Sequence, residues 1–469
     1  MNAKKIARDM LYAVFAQGLS TAVSVILTLL LPKVLGVAEF GYWQLFVFYL
    51  SYVGFFHFGI NDGVYLIHGG ETRDALDKKA INSQFLVSII YQAVISVAVI
   101  LVALFGPFEA QRQFVIVWIG IILLANNCSF YLGYVFQAVN ETALFSFSAA
   151  LDALAFFAAL IVLVVFGADS FEPYIIFYTL AKYFRLVYCL YKARDILSAG
   201  VLTHSACVKE SIESIRVGIK LMFANIVSSL ILGVVRFFVD LNWGIEVFSI
   251  VSFSLSIAAF FLTFLTQVSM VLFPNLKQLD RHGCSSAFCL MRDVLDLLLP
   301  AVYILYGPIT VVLNWWLPQY ARSIQLFAVL FPICVFEGKM DIVGTTFFKV
   351  LREEKWLLEV NLVTLLFSFV CTLFGTYVLN SVEFVLFCVV IALAFRCLLS
   401  ELLIGKTLNV SQTKLSFVSS ILSVGFVITA QLFTPLSTSV IFLFVYSTYL
   451  VINKTVLRRV FKLNDVLKS

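Results

Sequence analysis

Long apolar runs separated by short polar breaks recur along the whole chain. A helix needs roughly 20 apolar residues to cross a bilayer. Fourteen runs approach or exceed that length: 10–32, 41–66, 82–105, 113–137, 143–167, 172–191, 215–238, 247–273, 293–313, 322–349, 356–379, 383–404, 415–433 and 438–453. Gly106-Pro107, Pro173, Pro274, Pro318 and Pro435 punctuate several of the breaks, as residues that cannot continue a regular element do. The longest break, at about 192–214, divides the first six runs from the next six, and two more follow.

The second half repeats the pattern of the first. Shifted back by roughly 208 positions, the stretch opening at Ile219 falls on the N-terminus without a gap. Phe223, Ala224 and Asn225 lie over Phe15, Ala16 and Gln17, Ser228 over Ser20, Gly244 over Gly36, and Phe248 over Phe40. A constant register across a hairpin is what an internal repeat leaves behind. Six spans is an even number, so the two halves share one orientation and are related by an axis along the membrane normal. The expected fold is an all-α polytopic membrane protein with about 14 transmembrane helices. Residues 1–200 form one six-helix bundle, 201–410 a second, and 411–469 two additional helices with a basic tail.

Composition fixes the class. Of 469 residues, 62% are hydrophobic and 13% charged, against roughly half and a quarter in soluble domains; the mean hydropathy is +1.01. So much apolar surface excludes a water-soluble fold. The first apolar run is longer than a signal-peptide core, so no cleaved leader is expected. The net charge of +5 is a topology signal. With the N-terminus inside, the inner breaks hold Lys4, Lys5, Arg8, Arg73, Lys78, Lys79, Lys192, Arg194, Lys277, Arg281, Arg292, Lys349 and Arg352, among others. The outer breaks hold Lys33, Arg112, Arg236 and Arg322. The positive-inside rule then puts both termini in the cytoplasm, and nothing in the charge pattern points to nucleic acid. The nine cysteines fall mostly in apolar runs, with neither metal-ligand nor disulfide spacing.

Charges inside the apolar runs carry the chemistry. Each costs about 2.5–3.5 kcal/mol at a helix centre, and seven lie well inside: Asp152, Lys182, Arg185, Glu337, Lys339, Asp341 and Arg396. Together they cost about 20 kcal/mol, more than a typical net stability, so they must pair or face water. Lys182 and Arg185 share a helix face at i,i+3. They form either a cationic patch for an anionic substrate or an ion pair with Asp152. Glu337 and Asp341 share a face, Lys339 points away, and Pro332 just before them should kink the helix. The two carboxylates either exchange a cation or proton, or neutralise Arg396. Asp62 and His57 lie among Gly54, Gly59 and Gly63, which permit close helix approach; Asp62 either joins an ion path or pairs with an inner-loop base. Arg236 with Asp240 is either a local pair or a phosphate contact. The chain carries no nucleotide-binding loop, no G-x-S-x-G and no H-E-x-x-H, so neither an enzyme nor a cofactor or metal is expected.

Three segments carry a resemblance: LPKVLGVAEFGYWQLFVFYLSYVGFFHFGINDGVYLIHGG (31–70), RFFVDLNWGIEVFSIVSFSLSIAAFFLTFLTQVSMVLFPNLKQL (236–279) and WLPQYARSIQLFAVLFPICVFEGKMDIVGTTFFKVLREEKWLLEVN (316–361). With the layout of the whole chain they resemble the Wzx-type polysaccharide or oligosaccharide flippases of the multidrug/oligosaccharidyl-lipid/polysaccharide exporter superfamily. The resemblance implies a V-shaped pair of six-helix bundles around a cationic cavity, with two extra helices behind. It implies movement of undecaprenyl-pyrophosphate-linked oligosaccharide units across the bacterial inner membrane for O-antigen, capsule or exopolysaccharide synthesis. Its expected partners are the lipid-linked oligosaccharide, membrane lipid, a polysaccharide polymerase and a chain-length regulator. The substrate-binding candidates are then Lys182, Arg185, Lys339, Arg396 and Arg236, and the ion-coupling candidates Glu337, Asp341, Asp62 and Asp152. Related lipid-II flippases tend to carry arginines in the first span, where this chain offers Gln17 and no charge. The rival readings are a cation-coupled multidrug exporter and a membrane-embedded glycan polymerase or ligase. The latter usually needs a sizeable outer loop, and no outer break exceeds about ten residues.

Overall fold

A computed structural model describes residues 18, 21–276, 279–411, 414–454 and 456. Phe15, Ala16, Gln17 and Ser20 of the repeat, the basic residues Lys4, Lys5, Arg8 and Lys277, and the basic tail after 456 lie outside them. All regular structure among the described residues is helical. The chain divides into two compact units, Met1–Ile226 and Val227–Ser469.

The first unit holds α1 (Thr21–Val34), α2 (Val37–Val53), a 3-10 turn (Gly54–His57), α3 (Ile60–His68), α4 (Lys78–Phe105), α5 (Ala110–Ala138), α6 (Thr142–Val165), α7 (Phe171–Lys192) and α8 (Arg194–Leu197). The unit boundary falls within α9 (His204–Leu276). The second unit continues with α10 (Arg281–Leu298), a 3-10 stretch (Leu299–Leu305), α11 (Tyr306–Trp316), α12 (Ala321–Leu330), α13 (Ile333–Lys339), a π-helical turn (Met340–Thr345), α14 (Thr346–Val350), α15 (Glu354–Tyr377), α16 (Val382–Leu408), α17 (Lys414–Leu432) and α18 (Pro435–Ile452).

Local chemistry starts the helices where polar residues interrupt the apolar runs. Asp77 accepts the Lys79 and Ala80 N–H groups at the head of α4, and Asp280 that of Gly283 at the head of α10. Ser381 and Thr434 do the same for α16 and α18. Each such cap satisfies a donor the helix itself leaves open and contributes about 1 kcal/mol. Pro332 stands between α12 and α13, where the expected interruption of the helix is found.

The glycines aligned by the 208-residue shift share an unusual backbone. Gly36 has φ 68°, ψ 177°, and Gly244, which breaks α9, has φ 78°, ψ −179°. That region is open essentially to glycine alone. Phe40 and Phe248, brought together by the same shift, are both fully buried.

The apolar run 41–66 is a broken span, not the single helix its hydropathy suggests. α2 and α3 meet at 56°, because Phe58 (φ 49°) and Gly59 (φ 87°) both take left-handed backbone. Gly59 and Gly63 then lie against the first arm of α9: a Cβ on Gly63 would run into the Ser214 carbonyl, and one on Gly59 into the backbone of Ile219. The close approach expected of Gly54, Gly59 and Gly63 is therefore present at the last two, at a bend that the run's composition conceals, while Gly54 has open space around it.

Each of the fourteen predicted runs is mainly helical where described, with turns at Phe58–Gly59 and Phe331–Pro332 inside two of them. By length and hydropathy, nine helices among the described residues can cross a membrane, ten if the bent α2–α3 pair is one span. The difference from fourteen has physical causes. α7 is lowered by Lys182, Arg185 and several tyrosines, and α12–α14 is interrupted at Pro332 and at the π turn. The two arms of α9 form one uninterrupted stretch of helix apart from Gly244.

The first unit's core gathers Ile60, Phe85, Tyr131, Leu132 and Phe136, with α5 packed against α3 and α4. In the second, Tyr303 stacks on Phe426 at 4.4 Å and donates to the Ser423 hydroxyl at 2.7 Å, tying the 3-10 stretch to α17.

Candidate functional site

Three of the sequence-identified charges meet in the first unit, on the α6–α7 hairpin. Glu39 of α2 accepts the Phe171 N–H at 2.9 Å and so fixes the head of α7. Below it, Trp43 stacks on Phe156 at 5.6 Å, and Phe156 meets Tyr178 edge-on at 4.9 Å. This aromatic brace sets the rotation of α7. One turn beyond Tyr178, the Lys182 ammonium lies 5.2 Å from its ring centre and 2.5 Å from Asp152 Oδ2.

Arg185 lies on the same face, 3% exposed. Its Nη1 is 3.5 Å from the same Asp152 oxygen, and its guanidinium lies 4.7 Å from the Phe130 ring centre. Its Nε and Nη2 are buried and have no hydrogen-bond partner among the described residues. One carboxylate thus serves two cations, leaving one positive charge and two N–H-bearing nitrogens unsatisfied. Buried donors in that state are costly. Arg185, with Val23, Ser24, Leu27, Asp152 and Lys182 among others, also lines a cavity of about 220 Å³. The cavity lining thus holds two cations against one carboxylate, a balance that suits an anion.

The second unit treats its charges differently. Arg396 donates to both Glu337 oxygens (2.8 and 3.1 Å), to Asn361 Oδ1 (2.9 Å) and to Ser228 Oγ (2.8 Å). The helix-to-helix pairing considered for Glu337 is therefore the arrangement found, and this arginine is fully engaged. Asp341, on the π-helical turn, accepts from Thr266 Oγ1 at 3.3 Å. Arg236 donates to Ser252 Oγ at 3.1 Å and lies over Phe248 at 5.2 Å. In the first unit, Asp62 is 3.6 Å from His57 Nε2, while His57 Nδ1 accepts the Gly59 N–H at 2.9 Å. His57 is thereby built into the left-handed turn between α2 and α3.

Lys339 has partners that the apolar pattern did not bring forward. It is 3% exposed, with Asp296 of α10 and Glu401 of α16 each 2.5 Å from its ammonium and Ser416 of α17 at 3.2 Å. Asp296 and Glu401 stand near the ends of the runs 293–313 and 383–404, where hydropathy reads an acid as interfacial. Arg292, taken as an inner-loop cation, is a correction of the same kind. It is 1% exposed within α10, held by Asp293 and the Ser411 carbonyl, because α10 begins twelve residues before the predicted run, at Arg281. The signal that was available was the acid itself: Glu401 is the one carboxylate in the second half of its run. Among the described residues no group of three or more histidines, cysteines and acids is placed to hold a metal ion.

Neither a protein-family model nor a curated protein sequence matches the chain. Solved structures do. The lipid II flippase MurJ, in an inward closed conformation, aligns with a TM-score of 0.64 at 12% identity, over 96% of this chain and 100% of that one. An inward-facing MATE-family multidrug-resistance transporter of the MOP superfamily aligns at 0.59 and 11% identity, over 84% and 94%. The MATE transporter VcmN of Vibrio cholerae aligns at 0.59 and 14% identity, over 88% and 98%. The chain has the fold of the MOP superfamily transporters. The matches cover 84–96% of this chain, more than a shared fragment would.

Proposed function

We propose that this chain is a transporter that flips undecaprenyl-pyrophosphate-linked oligosaccharide across the bacterial cytoplasmic membrane for surface polysaccharide synthesis. The observation that carries the reading is Arg185, which lines a cavity beside Lys182 and has two buried nitrogens unpartnered among the described residues. A pyrophosphate supplies what that site lacks: negative charge and several acceptor oxygens in a geometry an arginine fork matches. A cationic drug would instead meet net positive charge, which places the multidrug-exporter reading second. On this proposal the chain comprises two six-helix bundles, 1–200 and 201–410, followed by two helices in 411–469, with both termini cytoplasmic. The polysaccharide polymerase and chain-length regulator are its partners. Of the acids considered for ion coupling, Asp341 and Asp62 have the fewest commitments, a 3.3 Å contact with Thr266 and a 3.6 Å contact with His57 respectively, whereas Glu337 and Asp152 neutralise cations.

The test is complementation of a deletion strain, scoring lipid-linked glycan retained on the inner leaflet. Losing a charge-assisted contact worth about 1.5–3 kcal/mol should cut export roughly 10- to 100-fold in Arg185→Ala, with Arg185→Lys in between because lysine offers a point charge without the fork. Normal export by both variants would remove the phosphate role. Unchanged export combined with lost drug resistance would favour the multidrug reading.

A further inference from the structure

We infer that Asp296 and Glu401 bind one proton between them, in a site closed by Lys339 and Ser416. Four helices of the second unit contribute: α10, α13, α16 and α17. The side chains of Asp296, Glu401 and Lys339 are 0%, 2% and 4% exposed. Two carboxylates therefore face a single ammonium in a place from which water is nearly absent.

The hydrogens can be counted. Ser416 Oγ lies 2.7 Å from Asp296 Oδ2 and 2.8 Å from Glu401 Oε2, both hydrogen-bond distances. Lys339 donates to the same Oγ at 3.2 Å. A serine hydroxyl has one hydrogen and an ionised carboxylate has none. Ser416 therefore satisfies one carboxylate, and the other oxygen contact needs a hydrogen from the carboxyl side. One acid is neutral and donates to Ser416 Oγ; the serine hydrogen goes to its ionised neighbour. The charge count gives the same answer. One ammonium balances one carboxylate, and a second buried negative charge would carry several kcal/mol of desolvation without a partner.

Among the described residues, the surrounding groups leave no other source of compensation. On α16, Cys397 offers its thiol to Glu401 Oε1 at 3.5 Å. On α18, Tyr449 donates to the Asp296 backbone carbonyl at 3.1 Å, and Tyr446 to that of Leu297 at the same distance. Arg292, one turn before Asp296 on α10, is committed to Asp293 and the Ser411 carbonyl. A sodium ion has no seat, since the Lys339 ammonium occupies the position between the two carboxylates. On the transport reading, rearrangement of these four helices would admit or expel the proton; the site itself stands without that reading.

Infrared spectroscopy of the purified full chain in lipid nanodiscs tests it, with no transport measurement involved. Wild type at neutral pH should show a protonated-carboxyl band. Asp296→Asn and Glu401→Gln should each remove one and the same carboxyl's worth of that band, because the remaining acid then ionises against Lys339. Ser416→Ala should keep the band but shift its frequency, and it serves if the amide variants do not insert. A band unchanged in both amide variants, or in Ser416→Ala, would overturn the inference.

Discussion

Arg73 shows how much one side chain can organise at the residue scale. It donates to both Asp195 oxygens (3.2 and 2.7 Å), to the Lys192 carbonyl at 2.6 Å and to Glu141, while Lys78 approaches Asp195 at 2.8 Å. Hydrogen bonding from Arg73, with Lys78 in support, holds the Asp195 carboxyl well below the usual carboxylate range. A carboxylate with a depressed folded pKa contributes stability that is complete above its unfolded value, about 3.9, and is lost as pH falls toward the folded one. Thermal unfolding in detergent should therefore show an acid-side loss below about pH 4 that Asp195→Asn flattens. Arg73→Met should cost about 2 kcal/mol at neutral pH. An identical acid limb in wild type and Asp195→Asn would sink this account. In the sequence Arg73 reads only as an inner-side charge, because its partners lie 68 to 122 positions away. Lys182 and Arg185 were legible for the opposite reason: two cations one turn apart inside an apolar run have few ways to be accommodated. Asp296 and Glu401 were not, since a hydropathy window cannot distinguish an acid at a membrane edge from one buried between helices.

Elements were legible to the extent that apolar length decides them, and their breaks were not. The predicted runs are mainly helical where described, yet the α2–α3 bend turns on two residues, Phe58 and Gly59, in left-handed backbone, a feature no sum of hydropathies contains. The bend matters because it lets α3 press against α9 at Gly63. Alanine in a helix is ordinarily favoured over glycine by roughly 1 kcal/mol, so the sign of Gly63→Ala depends on what its Cβ meets. It meets the Ser214 backbone carbonyl, which cannot swing aside as a side chain would. Gly63→Ala should therefore destabilise by about 1–3 kcal/mol. Gly425 of α17, with open space around its Cβ, is the control: Gly425→Ala should raise stability by up to roughly 1 kcal/mol. Thermal unfolding of the two variants side by side decides the matter; equal and favourable shifts would mean α3 and α9 are not in tight contact.

Across the whole molecule, one helix of each unit carries an arginine at the same distance from its start, and the two meet different charge environments. Arg185 stands fourteen positions after Phe171, the first residue of α7, and Arg396 fourteen after Val382, the first of α16; both are nearly fully buried. On the preceding helix Arg185 finds Asp152, already taken by Lys182. Arg396 finds neutral Asn361 there and takes its counter-charge from Glu337. The first site is thus one negative charge short, and the second is balanced. We expect the two to have separated into a binding arginine and a structural one, and stability should tell them apart. Arg396→Gln strands Glu337, and Glu337→Gln strands Arg396; breaking a buried pair from one side costs about 3–5 kcal/mol, nearer the lower figure because the Glu337 side chain is 14% exposed. Removing both charges should restore most of that loss, since a buried ion pair replaced as a whole is often close to neutral. Arg185→Gln leaves Asp152 paired with Lys182, so stability should change by less than about 1 kcal/mol while export falls. A double-mutant cycle on Glu337 and Arg396 by thermal unfolding, run beside Arg185→Gln, measures all of this. Additive effects of the Glu337 and Arg396 changes would show that the pair is not coupled. A loss in Arg185→Gln as large as in Arg396→Gln would show that both arginines hold the structure together and that neither is reserved for substrate.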